Sequence, residues 1–184
     1  MKIWLLKKLY GNYETLKFEN DNDSNVFHEG FRGVSMGDLK RIDVSTYNKG
    51  RKSDFPAGLL SPPVMSEKAV EVLRSLLEEK VEFVPMHKDN EKYYAINVVN
   101  TLDCIDPELS EARTFHGITI EYPKIVFKSE VVVSQDIFKY LFHDSKKVQV
   151  VDVFVSDAFR NRVIDSGLEG FDFIEVWNSE STIN

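Results

Sequence analysis

The chain has 184 residues, 42% of them hydrophobic and 29% charged, and a formal net charge of -7. That length and mix suit one ordinary domain with its own core and exclude a disordered chain. The acidic balance argues against general nucleic-acid binding, which needs a basic face for phosphate, and no apolar run approaches the roughly 20 residues of a membrane helix.

In chain order, Lys2 to Leu9 and Thr15 to Glu19 are predicted strands with a turn at Gly11-Asn12. The opening MKIWLLKKLY starts basic, but its apolar core is only Ile3 to Leu6 and no small-residue cleavage site follows, so no signal peptide is expected. Residues 20 to 33 (NDNDSNVFHEGFRG) hold turn formers with little periodicity and predict a surface loop. The only basic region follows, with Lys40, Arg41, Lys49, Arg51 and Lys52 against Asp38 and Asp43, and reads as a solvated loop. FPAGLLSPPV, at 55–64, reads as an extended connection because of its prolines.

Ser66 caps the clearest predicted helix, over 66–80, with Ala69, Val70, Leu73, Leu76 and Leu77 as its apolar stripe. Val81 to Met86 is a predicted strand, and Pro85 places it at a sheet edge or a strand end. Asn90-Glu91 is a turn and Tyr93 to Val99 a strand. Gly117 to Tyr122 and Ile125 to Val133 read as two strands hinged at Pro123, and Ile137 to Phe142 as another.

The stretch from Val148 to Trp177 is the folding unit on which the expectation centres. Val150 to Val155 is a predicted buried strand, and Ser156 and Asp157 start a helix over 157–166. Phe159 and Val163 share one face of that helix, Gly167 ends it, and Phe171, Phe173 and Trp177 then line one side of a strand. Helix followed by strand thus occurs twice, and Ser66, Glu79 and Phe83 align with Ser156, Glu169 and Phe173 without gaps. Three identities are too few to establish a duplication. The expected fold is α+β: a mainly antiparallel sheet with the 66–80 and 157–166 helices packed on it. One domain over 1–184 is expected, with the N-terminal third the least regular and Asn178 to Asn184 fraying.

The search for chemistry yields little. His28, His87, His116 and His143 are scattered and none has metal-ligand spacing. No serine sits in a G-x-S-x-G elbow, and Gly30, Gly33 and Gly37 match neither phosphate-cradling pattern. Cys104, the single cysteine, excludes an internal disulfide framework, fits a reducing cytoplasm and reads as a packed, inert thiol. Asp103, Asp106, Glu108 and Glu111 form the densest acidic cluster. Paired carboxylates can divide acid and base roles or hold a divalent ion. Equally, Asp103 and Asp106 can close a strand end, with Asp106-Pro107 leading into a helical turn. These four are the candidate partner-binding residues, and no catalytic, cofactor or metal residue is assigned. A metal-dependent hydrolase on Asp103 and Asp106, or an interaction module of a secretion or signalling assembly, is the alternative.

Three segments carry a family resemblance: PPVMSEKAVEVLRSLL (Pro62 to Leu77), YYAINVVNTLDCIDPELSE (Tyr93 to Glu111) and VFVSDAFRNRVIDSGLEGFDFIEV (Val153 to Val176). The matching positions are Ser66, Asn97, Asp103, Asp106 and Ser110, then Ser156, Phe159, Gly170 and Phe173. Over about residues 55–177 the chain resembles a bacterial family of immunity proteins of polymorphic-toxin systems, once catalogued as a domain of unknown function. The resemblance implies a cytoplasmic antidote, encoded beside a secreted toxin, that binds and blocks that toxin with no turnover and no cofactor; the acidic charge and short apolar runs leave neither nucleic acid nor membrane as an expected partner. It carries over no toxin-contact residue.

Overall fold

The computed structural model describes residues 1–37, 41–58, 62–148 and 152–182, without the side chains of 21, 26, 28–30, 181 and 182. Expectations that fall on 38–40, 59–61, 149–151, the last two residues or the His28 side chain lie outside the described residues.

The first half of the chain runs β1 (Lys2–Lys8), β2 (Thr15–Phe18), α1 (Asp21–Gly30), β3 (Ile42–Asn48), β4 (Ala57–Gly58), β5 (Val64–Ser66), α2 (Glu67–Leu77), β6 (Val81–Lys88) and β7 (Glu91–Val98). The second half runs β8 (Thr101–Leu102), β9 (Glu111–Phe115), β10 (Ile118–Lys124), α3 (Ser129–Val132), β11 (Ile137–Tyr140), β12 (Phe154–Ser156), α4 (Asp157–Asp165) and β13 (Phe171–Asn178). The strands form a five-stranded sheet ordered β13-β1-β12-β11-β8, a six-stranded sheet ordered β4-β2-β3-β6-β7-β5, and a separate β9-β10 ribbon. The fold is therefore mixed α and β and mainly sheet. Most of its ladders are antiparallel, with parallel pairing at β8-β11, β2-β4 and β3-β6.

The unit β5-α2-β6, with β7 paired antiparallel between its two strands, recurs as β12-α4-β13 with β1 between. The registers agree at an offset of 90 as far as a bulge between Ile3 and Trp4. Met65 and Pro85 both face Tyr94, while Val155 (65 + 90) and Glu175 (85 + 90) both face Trp4 (94 − 90). The likeness extends to the helix starts. Ser66 accepts a hydrogen bond from the Ala69 N–H at 3.1 Å and donates its hydroxyl to the Asp54 carboxylate at 2.8 Å. Ser156 accepts from the Phe159 N–H at 3.1 Å and donates to Asp136 at 3.1 Å. Each aspartate also reaches across to the other unit. Asp54 accepts from the Glu169 N–H beyond α4 at 3.0 Å, and Asp136 accepts from Lys80 beyond α2 at 2.8 Å. Gly170 lies beside this clasp with φ +90, and a Cβ there would meet the Ser53 hydroxyl at 1.9 Å, so only glycine fits.

One buried cluster joins the two units. Ala69, Val70, Leu73 and Leu77 of α2 and Phe159 and Val163 of α4 share it with Met65, Ile96, Val98 and Val155. Each large side chain so buried contributes about 1.5–3 kcal/mol before its entropy is subtracted. A second cluster lies on the six-stranded sheet around Leu16, Val44 and Met86. A third lies on the other face of the five-stranded sheet, where the Phe127 ring meets Phe138 and Phe154 at 5.7 Å and Trp177 at 5.9 Å. Replacing Ser66 by alanine removes both its capping and its Asp54 bond, and is expected to lower stability by about 1–2 kcal/mol in a urea titration. A loss under a few tenths would show that the cap is idle.

The structure corrects several expectations. Residues 20–33 are mostly helix α1, because the Asn20 side chain accepts from the Asn22 N–H at 3.0 Å, and Phe27 stacks on Phe18 while meeting Phe31, four residues on. The basic region holds strand β3, whose Ile42 and Val44 are buried while its charges lie toward the ends. Ile125 to Val133 is not a strand. It makes one bridge, Phe127 to Ile105, and then turns into α3, since Val126, Phe127 and Val132 all reach the third cluster. Pro85 is not at an edge, because β6 lies between β3 and β7; the ladder to β3 covers only Met86 and His87, so the missing donor interrupts none of it. The link between β1 and β2 bends at Gly11-Asn12, as expected, and there passes from one sheet to the other. Within 148–155 the described strand begins only at Phe154.

Candidate partner-binding surface

The four acids of the cluster do not converge on one point. Asp103 accepts from Lys146 at 2.5 Å and lies 4.0 Å from Nδ1 of His143. The Lys146 hydrogen bond outweighs partial burial and holds its carboxyl below the usual carboxylate range. Asp106 turns back on its own backbone, accepting from the Glu108 N–H at 2.9 Å and the Leu109 N–H at 3.1 Å. Glu108 is exposed and no described residue pairs with its carboxylate, whereas Glu111 lies 3.8 Å from Lys124. Among the described residues no three His, Cys, Asp or Glu side chains gather where they could hold a metal ion. Cys104 is fully buried, and burial pushes its thiol up to about 12. A water-soluble thiol reagent is expected to leave the native protein unmodified while labelling the unfolded chain; fast native labelling would contradict that placement.

The D-x-x-D-x-x-x-S stretch instead shapes the chain. The Ser110 hydroxyl accepts from the Val126 N–H at 2.9 Å and donates to the Val126 carbonyl at 3.2 Å, and the Asp106 N–H donates to that carbonyl at 2.9 Å. These bonds fasten the base from which β9 and β10 leave the body. The strands meet at His116-Gly117, both with positive φ, +48 and +78. That is the backbone of a two-residue hairpin turn that matches strand twist. Every residue of β9 is exposed. On one side of the ribbon Thr119 donates its N–H to Asp144 at 2.7 Å, and Tyr122 packs edge-on to Tyr140 at 5.8 Å. On the other side Phe115 and Ile118 stand 63% and 48% exposed, and Ile120, at a bulge close by, is 48% exposed. Isolated apolar side chains on a surface are ordinary, whereas three gathered at one turn make a small patch.

A second feature is an open groove of about 680 Å³ between the two repeated units. It is lined by ion pairs: Arg51–Glu169 at 2.5 Å, Lys52–Glu91 at 2.6 Å, Lys92–Glu67 at 3.1 Å and Lys68–Asp54 at 3.4 Å. Behind it Lys88, itself buried, donates to both carboxylate oxygens of Glu14 at 2.6 and 2.7 Å. Burial alone would raise the Glu14 carboxyl, and the Lys88 and Thr46 hydrogen bonds overcome this and hold it low. Four cations face four anions, so the groove has no net sign to attract a charged ligand.

The sequence marks the acidic stretch but misses the ribbon, reading only β10 as strand. The available cue was His116-Gly117 between Phe115 and Ile118, with histidine where asparagine is the commoner residue.

Taken together, fold and surface define a sheet-rich α/β protein in which Asp103 and Asp106 are bonded locally and a hairpin holds Phe115, Ile118 and Ile120 exposed. The chain belongs to the Immunity protein family (Imm11), which it matches over residues 20–178. The match reaches further toward the N-terminus than the segments that carry the resemblance and takes in α1. Among curated proteins no sequence matches it. No helix among the described residues is long and apolar enough to cross a membrane.

Proposed function

We propose that this chain is an immunity protein that binds a cognate toxin of a polymorphic-toxin system in the cytoplasm and masks it without chemical turnover. The observation that carries the reading is the family match across residues 20–178. The surface is in keeping with it: the candidate acids are tied to a lysine, to backbone or to a ribbon partner, or stand alone, and the thiol is buried. In this reading the whole chain acts as one domain, since a single buried cluster draws on residues from Leu6 to Leu168. Helices α2 and α4 share that cluster with strand residues, so the toxin meets a stiff body. The reading is tested by expressing the toxin of the adjacent reading frame with and without this chain. Survival together with a co-purifying complex supports it; cell death with no complex rejects it.

A further inference from the structure

We propose that the outer face of the β9-β10 ribbon, formed by Phe115, Ile118 and Ile120, is the element that docks the toxin, by entering an apolar recess on it. This rests on the immunity reading given above. Phe115 and Ile118 are direct cross-strand partners. Ile120 sits at a bulge between Thr119 and Glu121, where regular alternation breaks, and is as exposed as Ile118. Bulges aim side chains away from regular pairing.

Four observations point to a partner of this chemistry. First, among the described residues the ribbon engages the body through Thr119 and Tyr122 on its inner side, and β9 buries no residue. A two-stranded ribbon is marginal in water by itself, so a structure that holds three apolar side chains outward gains when a partner covers them. Second, the charges of the ribbon cancel internally: Arg113 pairs with Glu121, and Glu111 with Lys124. The ribbon therefore brings no net charge to its partner although the chain as a whole is acidic, and the complementary surface is apolar rather than basic. Third, the two-residue turn makes a narrow convex tip, which buries most area inside a concavity. A second copy of this chain is a poor match, because its groove is lined by eight charged side chains. Fourth, the base is fixed by the Ser110–Val126 and Asp106–Val126 bonds, so little order is lost on docking.

Titration calorimetry with the toxin of the adjacent reading frame tests this. The triple variant Phe115→Ser, Ile118→Ser, Ile120→Thr is expected to weaken binding by about 100-fold or more, with thermal melting confirming that it is folded. A control, Val133→Ser, removes an equally exposed apolar side chain elsewhere and is expected to stay within about threefold of wild type. If wild type binds and the triple variant binds equally well, the ribbon proposal is overturned and the immunity reading stands. If wild type itself fails to bind, both fall. A photo-crosslinking residue at position 115 gives a readout independent of the triple variant's folding. Attachment to bound toxin supports the proposal, and none in a formed complex overturns it.

Discussion

Asp54→Ala is expected to destabilise the protein by about 3–4 kcal/mol, a fall in Tm of roughly 6–16 °C for a chain of this size. The carboxylate accepts from the Ser66 hydroxyl at 2.8 Å, the Glu169 N–H at 3.0 Å and Lys68 at 3.4 Å, and its side chain is only 14% exposed. Removing it leaves a hydroxyl and a backbone N–H without their acceptor in a partly buried place, which costs more than the bonds are worth net. The exposed Lys68 contact adds little. Asp136→Ala removes the equivalent bonds to Ser156 and Lys80 and is expected to act in the same direction. Because each aspartate joins its own helix start to the other unit, the two losses are expected to add if the clasps are independent. Urea titration of both single variants and the double variant measures this. A loss below about 1 kcal/mol for Asp54→Ala would show that the clasp does not hold the two units together.

Lys139→Met is expected to compare best with the wild type near pH 7 and progressively less well toward pH 10.5. Lys139 is 2% exposed, and burial lowers its ammonium to about 8, against the opposing pull of Asp152. A folded-state value below that of the unfolded chain means that protonation is penalised by folding. The penalty is fully present below pH 8. It is relieved between about pH 8 and 10.5, where the unfolded chain binds the extra proton and stability rises with pH. The variant's stability relative to wild type should therefore be highest near neutrality and fall through that window. Melting curves at pH 7, 8, 9 and 10 follow it, and a relative stability that stays flat or rises with pH would contradict the assignment. Glu14 gives the opposite limb. Its carboxyl is held low, so the stability it contributes is present above its unfolded value of about 4.5 and is lost as pH falls below that.

The parts of the fold that were legible are those where several local cues agree. At α2 a serine cap, an acidic first turn and an apolar stripe coincide; at α4 a cap and a glycine stop do so, whereas the alternation of β13 holds for Phe171 and Phe173 but not for Trp177, which a bulge opposite Ile3 and Trp4 turns to the other face of the sheet. Where one cue stood alone, sequence reasoning went wrong. Helix α1 rests on two phenylalanines within a run of turn formers, and its cap, Asn20, is one of them. The β-branched run at Val131 to Val133 has strand propensity, yet the third cluster draws Val132 inward and the chain turns helical. The repeat shows only three identities because what it preserves is register, helix starts and clasps. Its two aspartates, Asp54 and Asp136, are 82 apart and not 90, so ungapped alignment passes over them.

At the candidate site the sequence located the acidic stretch, but carboxylates in a row look alike whether they bind a partner or cap a turn. Only coordinates show Asp106 bonded to its own backbone and Asp103 to Lys146. The ribbon was hidden for a related reason. Ile118 to Ile120 reads like any half-buried strand, and nothing local says that its apolar side faces water.

The most direct test of the central claim, that this chain neutralises its partner by occupying it, is to titrate purified protein into a fixed amount of the toxin of the adjacent reading frame and follow toxin activity. A masking protein removes activity in proportion and reaches its end point near one chain per toxin. Complete loss at a small fraction of an equivalent, increasing with time, would mean that the chain turns over a substrate, and would contradict the account.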